Sequence, residues 1–405
     1  VFAIMRADAA AFANGGVVRD VLIAGVGQTR VNRDHHVRGR YLGASAIDAA
    51  LADAGIVSTD VGALYVGNML SGVLANQQQL GALLADYAGL GDIEAVTIEA
   101  ACASGGAALR MGYLAVTSGA HDVVVVCGVE RMTHVERDTV TRALATAADW
   151  ELEGASGESF PSLNASLMRA YMDKYSVQPE RFAPFAIAAH GHARTNPNAL
   201  LHKALDLPTY MSSRVVSDPI RLFDVSPICN GSAALVLTAA DVAPRGANAP
   251  RVRVAGSALA TAPLALSRRS EPLWLGAVER STHEVLAQAG IAREQLDLFE
   301  LHDAYTIMTT LVLEAAGFAA PGQGLELADE SRIGLTGDLP LATFGGLKAR
   351  GHPVGATGCY QAVEAFLQLT GQAGPNQVAD AAIALTQNIG GTGATVVSHV
   401  LTRES

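Results

Sequence analysis

The sequence predicts an α/β protein built of two similar halves, with an extra segment mounted on the first. Three observations point there. Short β-branched runs bounded by turn residues alternate with stretches of helical apolar spacing. Glycine is abundant, at 41 of 405 residues, and aromatics are few, at 5%, which suits close-packed layers with tight turns. A series of local patterns also recurs in the same order along the second half.

The elements follow in order. Residues 1–17 read as an Ala-rich, aperiodic extension ending in Asn14-Gly15-Gly16, without the long apolar core of a secretory signal. The first strand is Val21–Gly25. A helix runs from about Ala44 to Ala54, and a strand follows at about Ala63–Val66. Val123–Cys127 is a β-branched strand between Asp122 and Gly128. Strands alternating with helices imply a parallel sheet covered on both faces.

The repeat is read from four matches. Leu51-Ala52-Asp53-Ala54-Gly55-Ile56 returns as Leu286-Ala287-Gln288-Ala289-Gly290-Ile291, each a helix closing at Gly with a strand soon after (Ala63–Val66; Leu298–Leu301). Val21–Gly25 returns as Val252–Gly256. Ala103-Ser104-Gly105-Gly106 and Gly355-Ala356-Thr357-Gly358 each open a helix. The strands Val123–Cys127 and Ala381–Leu385 follow them. The halves are therefore drawn at 18–248 and 249–405. Residues 129–220 have no counterpart and are richer in charge, Met and aromatics. This is an insertion placed where a substrate-covering loop domain belongs.

Composition excludes several classes. The longest apolar runs, such as Val123–Val126, are far short of a membrane span. A formal net charge of −11 argues against nucleic acid as the main partner, though a few local cations suffice for a polyanionic small ligand. The four cysteines, Cys102, Cys127, Cys229 and Cys359, lack metal-ligand spacing, so no metal is expected and a reduced, cytoplasmic setting is.

Four segments can carry chemistry. In Ala100-Ala101-Cys102-Ala103-Ser104-Gly105-Gly106, the cysteine stands at a helix start, where free N–H groups and the helix dipole favour thiolate; a structural cysteine at a tight strand–helix turn has the same signature. The Gly- and Pro-dense stretch Gly345–Gly358 rules out a regular element and holds His352 on a constrained loop, and His is the natural base for a thiol. Glu300-Leu301-His302-Asp303-Ala304-Tyr305 closes a strand at the end where α/β sheets place ligand chemistry. His302 is expected to be catalytic and Asp303 to cap the helix Tyr305–Ala316. Gln387–Gly393 is a Gly-rich turn that either presents N–H groups, Gly390 first, to an oxyanion or is a plain hairpin.

From about residue 20 to the C-terminus, these segments resemble thiolases in content and order. Ser217-Asp218-Pro219 through Cys229–Ala234 also resembles the family's approach to its second half. His302-Asp303 is similar to the sterol-carrier-protein type and to archaeal acetoacetyl-CoA thiolases, where the common type has Asn-Glu-Ala-Phe. The resemblance implies a duplicated five-layer αβαβα fold with a loop domain inserted in the first half. It also implies a homodimer or homotetramer, and coenzyme A thioesters as substrates with no bound cofactor. The implied activity is an acyl-CoA:acetyl-CoA C-acyltransferase of lipid metabolism. Cys102 would be acylated, His352 would take its proton and Gly390 would serve the oxyanion. His302 and His352 together would hold the enolate oxygen. Thiolases also use a second acid/base cysteine. Its two usual positions are Ala304 and Asn388 here, and a family Asn is replaced by Ala342. Cys359 is a candidate substitute, with a packed helix-start cysteine as the competing reading; Tyr305 and Tyr360 are weaker candidates. Two other functions are weighed. One is a thiolase-like retro-aldolase acting on a β-hydroxyacyl-CoA with a small zinc-ribbon/OB-fold partner. The other is a non-catalytic acyl-CoA or lipid-binding protein.

Overall fold

The run VLIAGVGQ builds strand β1 (Val21–Gln28), and the all-apolar VVVVCGVE builds β4 (Val123–Glu130), buried along its whole length. Such runs need cover on both faces, and the computed structural model, which describes residues 19–242 and 251–404, supplies it. The extension assigned to residues 1–17 lies outside the described residues. The remaining strands are β2 (Ala63–Gly67), β3 (Glu94–Ile98), β5 (Val215–Ser217), β6 (Ile220–Arg221), β7 (Gly231–Ala239), β8 (Val252–Thr261), β9 (Leu298–Glu300), β10 (Ile383–Gly390) and β11 (Thr395–Arg403).

Nine of them hydrogen-bond in the order β3-β2-β4-β7-β1-β8-β11-β10-β9, and β5 and β6 form a separate hairpin. The order is palindromic about the β1–β8 junction. In each half the first strand is innermost, beside the last strand, and the pair that follows a helix lies outside. Val21–Gly25 and Val252–Gly256 occupy matching positions. They meet through two residue pairs alone, Leu22 with Arg253 and Ile23 with Val252. The counterpart of β3 is reduced to one bridge, Phe299 with Leu341.

The sheet is mixed, which corrects the parallel expectation. Only β2 with β3 and β4, and β9 with β10, run parallel. β10 and β11 are joined by residues 391–394 alone, and so short a connection can join only antiparallel neighbours. The matching connection, from β4 to β7, holds the helices Arg137–Ala145, Phe160–Tyr175, Ala183–Ala193 and Leu207–Ser212 and the β5–β6 hairpin.

Helices layer the two half-sheets. Gly39–Ala54 covers β1 and β7 from outside, and Gly276–Ala289 covers β8 and β11. Both end alike. Gly55 (φ 63°) and Gly290 (φ 66°) turn left-handed, and Ile56 and Ile291 donate back to the carbonyls of Leu51 and Leu286. Ser104–Thr117 and Thr357–Leu369 form the middle layer, packed against strands of both halves and against each other. No helix among the described residues is long and apolar enough to cross a membrane.

The two middle helices meet at their starts through glycine. A Cβ on Gly358 would stand 2.1 Å from the Gly106 nitrogen, and one on Gly105 would stand 2.9 Å from the Gly355 oxygen. Backbone faces backbone, so neither can yield. Gly358→Ala should therefore cost at least the roughly 1–3 kcal/mol typical of overpacking. Gly191→Ala, on an exposed helical position with nothing within 4 Å, should instead be neutral or gain about 0.5–1 kcal/mol. Urea midpoints at unchanged slope distinguish the two outcomes.

Candidate active site

Cys102 precedes the helix Ser104–Thr117, and His352 precedes the helix Thr357–Leu369. Because those helix starts touch, the two residues come together across the halves. His302 joins them from the turn after β9. The Cys102 sulfur and one ring nitrogen of each histidine lie within 4.8 Å of one another, and all three residues are buried. The histidine rings stand edge to face at 5.0 Å.

The hydrogen bonds assign a tautomer to each neutral ring. His302 Nδ1 faces the Ile389 N–H at 3.3 Å and the Asn388 side-chain amide at 3.2 Å. A backbone N–H can only donate, so Nδ1 accepts and the proton sits on Nε2. His352 Nδ1 lies 2.7 Å from the Thr357 hydroxyl, which also donates to the Pro353 carbonyl at 3.5 Å. With the hydroxyl donating to Pro353, its oxygen is free to accept from Nδ1–H, the tautomer that leaves Nε2 as an acceptor. One histidine is a donor and the other an acceptor. Burial, helped by Lys348 and Arg350, drives the His302 pKa down to about 3. Burial first, then the His302, Arg350 and Lys348 charges, holds His352 well below its ordinary value.

The thiol departs from expectation. The helix start was expected to favour thiolate, yet burial, with the Glu130 and Glu99 charges adding to it, pushes Cys102 up to about 12. The lowering effect of the local backbone is outweighed. Buried Cys127 is pushed to about the same value. What separates them is access: Cys102 lines a cavity of about 830 Å³, and Cys127 does not.

His302, His352, Lys348 and Tyr305 line the same cavity. Apolar cover comes from Met132, Val140, Leu144, Phe160 and Met308, and Arg33, Arg137 and Arg214 add cationic groups. Gly390 packs against Ala100 and Ala101, just before Cys102, whereas Gly391 is the residue of that turn which reaches the cavity.

Three expectations are corrected. Cys359 does not face the cavity: it is fully buried, with its sulfur 3.6 Å from the Gly105 carbonyl oxygen, because the glycine contact turns that side of the helix into the middle layer. Asp303 does not cap the helix Thr306–Ala315. Its carboxylate accepts from the Leu347 N–H at 2.7 Å and ties down the loop that carries His352. That loop also contains a regular piece, one π-helical turn at Gly346–Arg350.

Sequence reasoning missed two groups. Asn388, read as a vacated cysteine position, bridges the Gly106 N–H (3.1 Å) and His302. The available signal was three consecutive polar residues, Thr386, Gln387 and Asn388, all buried in a strand otherwise apolar. Glu130 lies fully buried at the end of β4. It accepts from the N–H groups of Met69 (3.0 Å), Leu70 (3.3 Å) and Gly355 (3.2 Å) and from the Asn68 amide (3.0 Å). Burial raises its pKa to about 7 against those bonds.

Comparison with known proteins adds the following. Residues 21–241 match the family described as the thiolase N-terminal domain, and residues 258–403 match the one described as thiolase C-terminal domain-like. An acetyl-CoA acetyltransferase from Methanothermobacter thermautotrophicus is 41% identical, covering 95% of this chain and 100% of that protein. Sterol carrier protein 2 from Gallus gallus is 30% identical, covering 94% of this chain and 71% of that protein. Among solved structures, the Ltp2-ChsH2(DUF35) aldolase superposes with a TM-score of 0.83 at 23% identity, covering 95% of this chain and 98% of that one. An acetyl-CoA acetyltransferase from Syntrophomonas wolfei gives 0.72 at 16%, covering 96% and 100%. Both share this fold.

A thiol with a pKa of about 12 is ionised in proportion to hydroxide over the whole neutral range. Alkylation of Cys102 by iodoacetamide should therefore rise about tenfold per pH unit from pH 7 to 10 without a plateau, and outpace Cys127 throughout. Peptide mapping after timed labelling measures both; a plateau near pH 7 would show a preformed thiolate instead. Asn388→Leu removes the hydrogen bond to His302 and the one from the Gly106 N–H; losing the first, worth about 0.5–1.5 kcal/mol, should lower turnover roughly two- to tenfold, and the unpaired Gly106 N–H should lower the urea midpoint as well.

Proposed function

This chain belongs to the thiolase family, and from that premise we propose that it is an acyl-CoA:acetyl-CoA C-acyltransferase working through an acyl-enzyme on Cys102. The observation that carries the reading is the convergence of Cys102, His302 and His352, brought from three segments to within 4.8 Å inside a cavity. That is the minimal equipment for covalent transfer: a nucleophile, a base within reach and a donor for the oxygen.

The assigned tautomers give each histidine one task. His352 Nε2 takes the thiol proton as sulfur attacks the acyl thioester carbonyl. The carbon–sulfur bond to coenzyme A then breaks, and the proton passes to the departing thiolate. His302 Nε2–H meets the thioester oxygen of the second substrate, where negative charge grows as its α-proton leaves. A donor held in place needs no reorganisation at that moment, and such a donor contributes on the order of 10²–10³ in rate. Since Cys102 rests as a thiol, its proton moves during attack rather than before it. The N–H groups about Cys102 and Gly390 are assigned to the acyl-enzyme oxyanion. Arg33, Arg137 and Arg214 are assigned to the coenzyme phosphates, which gives a polyanionic ligand its local counter-charges on an acidic chain. A homo-oligomer is the assembly that goes with this reading.

The retro-aldolase reading, with its zinc-ribbon/OB-fold partner, has no task for a nucleophile set against two histidines. The non-catalytic reading has no task for any of the three.

Incubation with acetyl-CoA should add one acetyl group, located on Cys102 by intact mass and peptide mapping and absent from Cys102→Ser. Because Cys359 packs in the middle layer, Cys359→Ala should keep both half-reactions and lose only stability. A selective loss of condensation in that variant would reinstate Cys359 as an acid/base.

A further inference from the structure

The two vacated cysteine positions leave the α-proton without a base, and we infer that Lys348 is that base. The inference rests on the thiolase reading and assigns the group that its second half-reaction still requires.

Lys348 stands in the π-helical turn Gly346–Arg350, two residues after the left-handed Gly346 (φ 53°). That turn directs a 1% exposed side chain to the wall of the cavity shared by Cys102, His302 and His352. Its Nζ donates to two backbone carbonyls, those of Asp303 (2.6 Å) and Asp224 (3.2 Å). No third hydrogen bond and no salt bridge to Lys348 occurs among the described residues. Two N–H donors are what a neutral amine has, so the neutral form finds both satisfied here and keeps its lone pair. An ammonium there would carry one proton with no acceptor in the protein.

The nearby carboxylates are committed elsewhere. Asp303 accepts from the Leu347 N–H, and Asp224 accepts from the hydroxyls of Tyr210 and Thr306 and from the Arg221 N–H at 2.7 Å. The charged and titratable groups facing Lys348 are therefore Asp303 and Asp224, which favour its proton, and His190, His302 and His352, which burial keeps neutral. Burial dominates and brings the Lys348 pKa down to about 8, within reach of neutral pH. Tyr305, also on the cavity wall, is carried the other way by burial and the Cys102 charge and keeps its proton.

The step balances. The lone pair of Lys348 takes a proton from the α-carbon of the acetyl thioester; the C–H bond breaks, an N–H bond forms, and the electron pair moves to the thioester oxygen facing His302. The α-carbon then bonds to the acyl carbonyl on Cys102, and the Cys102 carbon–sulfur bond breaks. The Lys348 ammonium returns its proton to the Cys102 thiolate, directly or by way of His352. Amine and thiol are both restored.

The test compares the parent protein with Lys348→Arg, which keeps charge but has no accessible neutral form, and Lys348→Met, which keeps length alone. Two readouts are taken on each: acetylation of Cys102 by acetyl-CoA, and exchange of the acetyl-CoA methyl protons with deuterium oxide. Both variants should acetylate Cys102 within a few-fold of the parent. Both should lose methyl exchange and condensation by about 10²–10⁴, the usual loss on removing a positioned base. The parent's exchange rate should climb with pH toward about 8, and that limb should vanish in Lys348→Arg. An Arg variant that still exchanges would show that charge alone is required and would overturn the assignment. Variants that lose acetylation together with exchange would also overturn it, because Lys348 would then serve the site as a whole. A parent that never acetylates Cys102 would overturn the thiolase reading itself, an outcome separable from the other two.

Discussion

Everything at the active site depends on two helix starts touching backbone to backbone. The contact between Gly105 and Gly106 on one helix and Gly358 on the other, with Gly355 in the turn just before it, admits no side chain. The residues just ahead of these helices, Cys102 and His352, thereby fall into one pocket. The sheet could not achieve this alone, because the halves share only two residue pairs between β1 and β8. Alignment of Cys102 with His352 is set by van der Waals contact in the middle layer, which is short-ranged and unforgiving.

The second governing fact is dryness. Burial holds Cys102 as a thiol, His302 and His352 as neutral rings and Tyr305 as a phenol, and it pulls Lys348 toward neutrality. With Cys102, His302, His352 and Tyr305 all uncharged, no ion pair among these four has to be broken. The ring nitrogens of His302 and His352 are held by Asn388, Ile389 and Thr357, and in the proposed reaction protons move between partners already oriented in this way. Glu130 contributes by fastening the loops at Met69, Leu70 and Gly355 to the end of β4, so both halves are held at the depth of the thiol.

Much of this was legible in the residues. The two helix-opening turns, the Gly–Ile closures at Gly55 and Gly290 and the matching strands all register as local sequence, because caps and turns are local physics. Cys102, His302 and His352 stood out because each sits in a motif whose backbone is constrained. The rest is tertiary. Whether the Cys102 thiol ionises depends on how much protein closes over it, and no helix-start rule contains that term. The direction of β10 against β11 is set by a connection of residues 391–394, a matter of chain length rather than periodicity. Cys359 has the local signature of a reactive helix-start thiol and loses it to packing. Lys348 and Asn388 were passed over because their roles depend on carbonyls and ring nitrogens contributed by segments tens of residues away, or more.

The unequal connections after β4 and β10 divide the protein into a floor and a roof with separate histories open to them. The second half returns from β10 to β11 in four residues, 391–394, and so lays down His302, Lys348 and His352 with almost nothing overhead. Most of the cover over the cavity, including Met132, Leu144, Phe160 and Arg214, comes from the single stretch between β4 and β7. Insertions or deletions in the parts of that stretch away from Asp224, which holds Lys348, and from the helix Ala183–Ala193, which packs on the Lys348 turn, can change which molecules are admitted while leaving Cys102, His302 and His352 in register. In such a chain the range of guests can diversify quickly while the chemistry stays put.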